Sequence, residues 1–263
     1  MSMAFGLIVV GDEILSGRRQ DKHLTRTIEI LAARGHSLAW CEVIGDDRTR
    51  ITATLKRAFA SGDVVFSCGG IGATPDDHTR QCAAAALERP LALHPEAKRL
   101  IEQRMQEMAG EKGVPWEPDH PDNIHRLNMG VFPQGAQIIP NPYNRIPGFS
   151  VGDVHFVPGF PVMAHPMLEW VLDTHYPHLK PEPHVEKAVY VFGGLEAQLT
   201  PLMLQVEERF EGVRIFSLPS VDHPQRGKHI ELGVKGAPEQ VARAFEFLQH
   251  GLRAVPGLVF STE

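Results

Sequence analysis

Two adjacent carboxylates, Asp76 and Asp77, directly follow a glycine-rich segment in the N-terminal half of the chain. The run at 64–68 before the glycines is β-branched or aromatic and predicts a buried strand, and the alanine-rich run at 82–87 predicts a helix. A strand, a glycine turn and a helix start together offer free backbone N–H groups to a phosphate. The glycines, which tolerate positive φ or the close approach of a ligand, are Gly69, Gly70 and Gly72.

The two carboxylates admit two interpretations. In the first, Thr74 is the N-cap of the helix, Pro75 its first residue and Asp77 the capping-box residue, and each charge adds only about 0.3–1 kcal/mol through the helix dipole. In the second, a phosphate binds at the turn. Two like charges about 4 Å apart repel by roughly 4 kcal/mol at an effective dielectric of about 20. A phosphate beside Asp76 and Asp77 therefore implies a divalent cation such as Mg²⁺, which binds carboxylates and phosphate oxygens together.

A second pair of acidic residues, Asp12 and Glu13, follows the unbroken apolar run at 5–10. Such a run predicts a strand that is buried on both faces, as in a parallel sheet. Because parallel strands end at the same edge of a sheet, these carboxylates are expected to face the crevice that holds the glycine turn. There they would complete a metal shell or act as a general base.

The composition sets bounds on the class of protein. A chain of 263 residues with 43% hydrophobic and 22% charged residues is typical of a soluble globular protein, with one large domain or a large and a small one. The net charge of −6 argues against nucleic acid as the main partner. No stretch is long enough to span a membrane, and the run at 5–10 is too short for a signal peptide. Three cysteines without metal or redox spacing favour a reducing cytoplasm.

Strand and helix patterns alternate three times up to residue 87, which favours an α/β fold with a parallel sheet and helices on both faces. Asp21 and Asp46-Asp47 are predicted helix starts, and Gly62 a helix end. Strand, helix, strand, strand and helix patterns at 188–255 favour a ferredoxin-like βαββα companion. The elements predicted between these parts are a helix at 95–108, a loop at 110–122, a short helix at 123–129, a strand at 136–139, a hairpin at 149–157 and a linker at 175–187.

These motifs resemble the molybdopterin-binding-fold family. Gly11 to Gly17, with Asp21, looks like its "GDELL-G---D" opening, and the segment 69–77 resembles its "GGLGPTPDD" loop. The turn at 157–161 and the KH-like pattern at 188–255 are similar to CinA-type competence/damage-inducible proteins. The resemblance implies a molybdopterin-binding-like domain at 1–175 with a three-layer αβα core, and a KH-like/ferredoxin-like subdomain at 185–260. The deamidase domain that often ends such proteins is not expected.

The resemblance also implies a ligand and an oligomer. Family members bind molybdopterin or its adenylylated form, and CinA-type domains are associated with metal-dependent hydrolysis of ADP-ribose-like pyrophosphates. The expected partners are a small-molecule phosphate ligand and further copies of the chain, with no nucleic acid and no membrane; the expected ions are Mg²⁺ and, alongside it, K⁺. The predicted catalytic residues are Asp77, Asp12 and Glu13, the metal ligands Asp76 and Asp77, and the phosphate-binding residues Gly69, Gly70, Gly72, Thr74, Ser16, Gly17, Asn141 and Gly148.

Several positions depart from the family pattern. Tyr143 to Ile146 put bulk where the second phosphate loop of the family is small, and Met163 stands where the family has a glutamate. Ala73 replaces a proline, and Cys68 replaces a hydroxyl residue. These departures predict that the first two loops bind a ligand while turnover of ADP-ribose is weak or absent. A non-catalytic binding or scaffold protein, and a participant in molybdenum-cofactor assembly, are the alternatives.

Four other features have a structural and a functional interpretation. Cys68 is interpreted as a small buried hydrophobe rather than a nucleophile. The histidines, including His120 with His125 and a trio at 175–184, are interpreted as solvated rather than metal-binding. The GxxG segment at 233–236 is interpreted as a turn after a strand. The arginines predicted to be solvated, with bidentate phosphate binding as the alternative, are Arg18, Arg19 and Arg145.

Overall fold

The computed structural model describes residues 3–179 and 185–262, which form two compact units that divide near residue 180. No helix among these residues is long and apolar enough to cross a lipid bilayer. The elements of the first unit are β1 (Phe5–Val10), α1 (Asp12–Leu15), α2 (His23–Ala32), β2 (Leu38–Ile44), α3 (Arg48–Ser61), β3 (Val64–Cys68), α4 (Thr79–Leu87), β4 (Leu91–Leu93), α5 (Pro95–Lys112), α6 (Pro121–Leu127), β5 (Val131–Pro133), β6 (Gln137–Ile139), β7 (Gly148–Val151), β8 (Val154–Val157) and α7 (Pro161–His175).

The first unit is built around a six-stranded sheet with the strand order β2-β1-β3-β8-β7-β6. Strands β2, β1, β3 and β8 are parallel, and β7 and β6 continue the sheet as an antiparallel extension. Leu7 and Val9 of β1 pack against helices α2 and α7, whereas Ile8 and Val10 pack against α3, α4 and α5. The predicted three-layer αβα core is therefore confirmed.

The predicted starts of α2 and α3 carry carboxylate caps. Asp21 accepts the backbone N–H groups of His23 and Leu24, both at 2.9 Å. Asp47 accepts the N–H of Arg50 at 2.7 Å. Each carboxylate satisfies a donor that has no partner within the first turn of a helix. These caps fix where the loops that precede the two helices end.

The predicted helix start at Thr74 is wrong, because α4 begins at Thr79. Residues 74–77 form a separate turn in which the N–H of Asp77 donates to the Thr74 carbonyl at 3.0 Å. The Asp77 carboxylate accepts the N–H of Thr74 at 2.8 Å, so the predicted contact exists outside the helix. The first N–H of α4 instead donates to the carbonyl of Gly70 at 3.0 Å. The glycine loop therefore supplies the helix cap.

The segment between α4 and β6 departs further from the prediction. Helix α5 runs to Lys112 and α6 begins at Pro121, so the predicted loop at 110–122 is shorter. Strands β4 and β5 pair in a separate antiparallel ribbon that was not predicted. Three-residue strands are too short to show an alternating pattern in the sequence.

The second unit contains β9 (Val185–Phe192), α8 (Glu196–Arg209), β10 (Arg214–His223), β11 (Gly227–Gly236), α9 (Pro238–Arg253) and β12 (Val259–Ser261). Its antiparallel sheet has the order β10-β11-β9-β12. Strand β12 completes the βαββαβ order of a ferredoxin-like fold, of which the sequence predicted the first five elements. The GxxG segment at 233–236 forms the last four residues of β11, so its interpretation as a turn is wrong, although the strand does end at Gly236. Strand β9 begins inside the predicted linker, and the linker residues 180–184 lie outside the described residues.

Candidate functional site

A cavity of about 650 Å³ lies at the carboxyl ends of β1, β2, β3 and β8. Four loops meet there because parallel strands deliver their following loops to one edge of the sheet. The structure thus brings together Glu13, the glycine turn, Asp76 and Asp77, as the sequence suggested. The lining residues are Val10, Gly11, Glu13, Arg18, Arg19, Asp46, Gly69, Gly70, Ile71, Gly72, Ala73, Thr74, Asp76, Asp77, Pro158, Gly159 and Phe160.

The glycine turn is a segment that only glycines can form. Gly69 and Gly70 have φ values of 107° and 68°, where side chains other than hydrogen are rarely found. A Cβ on Gly69 would lie 2.3 Å from the carbonyl oxygen of Val10. A Cβ on Gly72 would lie 2.5 Å from Oδ2 of Asp77. The backbone therefore runs in contact with β1 on one side and with Asp77 on the other.

Two residues at the start of α4 hold the carbonyls of this turn. The Thr79 hydroxyl donates to the Gly69 carbonyl at 3.1 Å, and the Thr79 N–H donates to the Gly70 carbonyl. The guanidinium of Arg80 donates to the next two carbonyls, that of Ile71 through Nη1 and that of Gly72 through Nη2 at 2.6 Å. Arg80 is only 3% exposed. Burial lowers the pKa of its guanidinium, and the nearby Asp77 opposes that shift.

Thr79 and Arg80 were not predicted from the sequence as part of the site. Only the observed start of α4 at Thr79 places the cation Arg80 in the first turn of a helix, where the helix dipole disfavours positive charge. An arginine at such a position needs acceptors from elsewhere, and here the glycine loop provides them.

The carboxylates of the first two loops are tied to each other's backbone. The N–H of Asp12 donates to Oδ2 of Asp46 at 2.9 Å, and the N–H of Asp46 donates to Oδ1 of Asp12 at 3.2 Å. Burial raises the pKa of Asp46, the hydrogen bond from the Asp12 N–H opposes that shift, and the charges of Asp12, Glu13 and Asp76 add to it. Asp46 was predicted only as part of a helix start. Its position two residues after the end of strand β2 was the signal that it faces the site.

Asp77 and Asp76 differ in their surroundings. Oδ2 of Asp77 accepts both the N–H and the hydroxyl of Thr74, at 2.8 and 2.5 Å, so this oxygen is engaged in the turn. Asp76 is exposed at the rim of the cavity. Within the described residues, no three His, Cys, Asp or Glu side chains converge as a ready metal site. A cation here would need ligand oxygens in addition to the carboxylates.

Ser16 and Gly17 end helix α1 rather than line the cavity. The N–H of Ser16 donates to the Asp12 carbonyl at 2.8 Å, and Gly17 turns the chain with a φ of 72°. This turn leads directly to Arg18 and Arg19, which are exposed and line the cavity. The alternative interpretation of these two arginines, bidentate phosphate binding, is therefore compatible with their position.

A family model described as a probable molybdopterin binding domain matches residues 6–180. A CinA-like protein of Syntrophotalea carbinolica is 31% identical over 219 residues, which cover 80% of this chain and 48% of the relative. The chain belongs to the molybdopterin-binding family and is of the CinA type.

Two further similar proteins are covered over more of their own length. A protein of Pyrobaculum calidifontis is 29% identical over 232 residues, which cover 85% of each chain. The crystal structure of CinA from Thermoplasma acidophilum, whose function is described as unknown, has a TM-score of 0.54 at 26% identity and covers 65% of this chain and 97% of that one. The CinA-type chain spans about half the length of its Syntrophotalea relative.

The second phosphate loop predicted for a CinA-type chain is closed on itself. Asn141 is 4% exposed, and its side-chain N–H₂ donates to Asn144 Oδ1 at 2.8 Å and to the Ile146 carbonyl at 2.9 Å. Its Oδ1 accepts the N–H of Tyr143 at 3.0 Å. Gly148 begins β7, and a Cβ there would lie 2.3 Å from the Phe156 carbonyl. Both predicted ligand residues, Asn141 and Gly148, therefore serve the loop and the sheet instead of the cavity lining.

Two departures from the CinA-type pattern touch each other. The side-chain N–H₂ of Asn144 lies 3.7 Å from the sulfur of Met163, which accepts from it. Arg145 pairs with Glu107 of α5 at 3.0 Å. Tyr143 lies at a separate groove that α5 lines with Met105 and Met108. The phosphate-binding alternative for Arg145 is not supported by this placement.

A buried histidine supports the wall of the cavity. His23 is 4% exposed, and its Nε2 lies 3.1 Å from the carbonyl oxygen of Gly159. Burial lowers the pKa of His23, which favours a neutral ring that donates from Nε2. Gly159 in turn packs on Gly69, whose Cα lies 3.4 Å from the position of a Gly159 Cβ. His23 was not predicted as part of the site.

Cys68 and two of the histidines predicted to be solvated have structural roles. Cys68 is fully buried, and burial raises the pKa of its thiol, which agrees with the hydrophobic interpretation. His125 contacts the carbonyl of Ala73 through Nε2 at 2.9 Å, and His120 accepts the N–H of Asp122 at the start of α6. His184 of the predicted trio lies outside the described residues.

Proposed function

We propose that this chain binds the pyrophosphate of a nucleotide- or pterin-based ligand, together with Mg²⁺, in the cavity at the ends of the parallel strands. The observation that carries the proposal is the meeting of three kinds of group in one cavity. These are the open backbone of the glycine turn, the cations Arg18 and Arg19, and the carboxylates of Glu13, Asp46 and Asp76. Glycine backbone and arginine bind phosphate oxygens, whereas carboxylates repel them unless a cation lies between.

The acidic residues of the cavity suit Mg²⁺ better than they suit a metal whose ligands all come from the protein. Magnesium is usually bound by one or two carboxylates, with phosphate oxygens and waters completing its shell. Asp76, at the rim, and Asp77, whose Oδ1 is not used in the Thr74 turn, offer such ligands. The lack of a converged cluster of three ligands in the described chain agrees with a cation that arrives with its phosphate.

We further propose that the chain hydrolyses the pyrophosphate of its ligand. Bound Mg²⁺ would supply Lewis-acid polarisation of a phosphoryl oxygen. Glu13 lines the cavity and is the carboxylate we assign as general base for the attacking water. Asp12 is engaged with the Asp46 backbone and positions the second loop. The backbone of the glycine turn would stabilise the charge that develops on the phosphate.

The test is calorimetric titration of the wild-type chain with ADP-ribose and AMP, with and without Mg²⁺. Binding that requires Mg²⁺, and that weakens strongly in Asp77→Asn, is the expected result. Asparagine keeps an acceptor for Thr74, so the turn survives and the loss reports on the metal. Asp119→Asn, at an exposed site on the loop before α6, is the matched control. Tighter metal-free phosphate binding by Asp77→Asn would overturn the metal-binding role and leave Asp77 as a turn residue.

Binding without chemistry is the second candidate, and one observation favours it. The 141–148 loop uses its own polar groups internally, and Met163 contacts that loop where the family places a glutamate. A binding or scaffold protein, or a participant in molybdenum-cofactor assembly, needs no such glutamate. A thermal-shift screen of pterins and nucleotides, followed by a turnover assay on every ligand that binds, separates the two candidates.

A further inference from the structure

The glycine turn has all its carbonyls directed to one side. Thr79 binds the carbonyls of Gly69 and Gly70, and Arg80 binds those of Ile71 and Gly72. Four consecutive acceptors are thus drawn toward the first turn of α4. In a trans peptide the carbonyl of one residue and the N–H of the next point in opposite directions. The N–H groups that follow these four carbonyls must therefore point away from α4.

These N–H groups belong to Gly70, Ile71, Gly72 and Ala73, which all line the cavity. Among the described residues, none of the four donates to another group of the protein. Successive free N–H groups in a turn with left-handed residues form an anion-binding concavity. The φ values of Gly69 and Gly70, 107° and 68°, supply the left-handed positions.

We infer that Thr79 and Arg80 are positioning residues that hold four backbone N–H groups as a phosphate-binding nest. The inference rests on the proposed function, because it names the groups that bind the phosphate there. Arg80 acts through the loop. Its side chain is 3% exposed and two of its nitrogens are bound to carbonyls, so it is turned away from the ligand.

Paired variants of Arg80 and Thr79 distinguish the effect of their hydrogen-bond geometry from the effects of charge and of protein stability. Arg80→Lys keeps the cation but lacks the planar fork that reaches two carbonyls. Thr79→Ser keeps the hydroxyl that binds Gly69, and Thr79→Val removes it. Arg89→Lys is the control, since Arg89 lies just beyond α4 and its side chain donates to the Gln134 carbonyl, at 3.4 Å, away from the glycine turn.

The measurement is calorimetric affinity for AMP with Mg²⁺, together with the amide chemical shifts of Gly70 and Gly72 in a ¹H–¹⁵N spectrum. We expect Arg80→Lys to weaken AMP binding roughly ten- to hundredfold and to abolish the phosphate-induced shift of the two glycine amides. Thr79→Val should behave in the same direction, whereas Thr79→Ser and Arg89→Lys should resemble the wild type.

The outcomes also separate this inference from the proposed function. Wild-type binding that is unchanged in Arg80→Lys and Thr79→Val, with the glycine shifts intact, would overturn the positioning role alone. A wild-type chain that binds neither AMP nor pyrophosphate would overturn both. If Arg80→Lys is unfolded, the two Thr79 variants decide the matter, because equal affinity in Thr79→Val and Thr79→Ser would contradict the inference.

Discussion

Acidification should destabilise the first unit through His155, a histidine of β8 that is 2% exposed. Its Nδ1 lies 2.7 Å from the Ser150 hydroxyl and its Nε2 lies 2.7 Å from the Tyr176 hydroxyl. Tyr176 donates its proton to Asp153 at 2.8 Å, so the ring donates from Nε2 to Tyr176 and accepts from Ser150 at Nδ1. The ring is neutral with both nitrogens satisfied, and a second proton would break this chain.

The magnitude follows from the pKa of this ring. Burial, and secondly the neighbouring His175, lower the pKa of His155 to about 3. In the unfolded chain a histidine has a pKa of about 6.5. Below that value the unfolded state binds a proton that the folded state excludes, so stability falls as the pH falls from about 6.5 towards 3. Each pH unit in this window costs about 1.4 kcal/mol, which amounts to roughly 2 kcal/mol between pH 7 and pH 5.

Urea unfolding followed by tryptophan fluorescence measures this loss. All three tryptophans, Trp40, Trp116 and Trp170, lie in the first unit, so the signal reports on that unit alone. The His155→Gln variant should be less stable at pH 7 but should lose about 2 kcal/mol less than the wild type on going to pH 5. The pKa values of His23 and His165 are also lowered by burial and contribute equally to both proteins. Equal losses in wild type and variant would refute the reasoning.

Two further predictions concern the loops of the site. Gly69→Ala should cost roughly 1–3 kcal/mol of stability and abolish AMP binding, because its Cβ would lie 2.3 Å from the Val10 carbonyl at a φ of 107°. Gly110→Ala, in open space within α5, should instead stabilise the protein by about 0.5–1 kcal/mol. Denaturant unfolding measures the stability of both variants, and calorimetry measures their AMP binding. A Gly69→Ala variant with wild-type stability and AMP affinity would contradict the close contact with Val10. Replacing residues 143–146 with glycine and alanine, together with Met163→Glu, should raise ADP-ribose turnover, measured by chromatography as the AMP and ribose 5-phosphate formed. Ordinary enzyme rates in the unaltered chain would contradict that interpretation.

The sequence predicted the sheet, its helices and the edge of the sheet at which the cavity lies, because these depend on local patterns. The apolar run at 5–10 and the caps at Asp21 and Asp47 are signals within a few residues, and all three are present in the structure. The helix start at Thr74 failed for a longer-range reason. The N–H of Thr79 donates to Gly70, nine positions earlier, and that bond cannot be inferred from capping patterns.

The site residues that were missed all act across loops. Asp46 meets Asp12 through bonds between two loops that only the parallel pairing of β1 with β2 brings together. His23 contacts Gly159 across a separation of 136 residues. The predicted ligand residue Asn141 has the right type for a loop but uses its amide to close that loop. Residue type indicates that such side chains form hydrogen bonds, whereas the partner of each group depends on the tertiary fold.

The two glycine-containing loops are stabilised in different ways, and this difference bears on what the cavity can bind. The turn at 69–72 is held from behind by Thr79 and Arg80, so its own N–H groups are left for a ligand. The loop at 141–148 is held from within by Asn141, which consumes groups of the same loop. A phosphate loop must satisfy its carbonyls without using its donors, since an anion binds only donors. The first loop meets that condition and the second does not, which is why the proposed ligand site lies at the loops after β1, β2, β3 and β8.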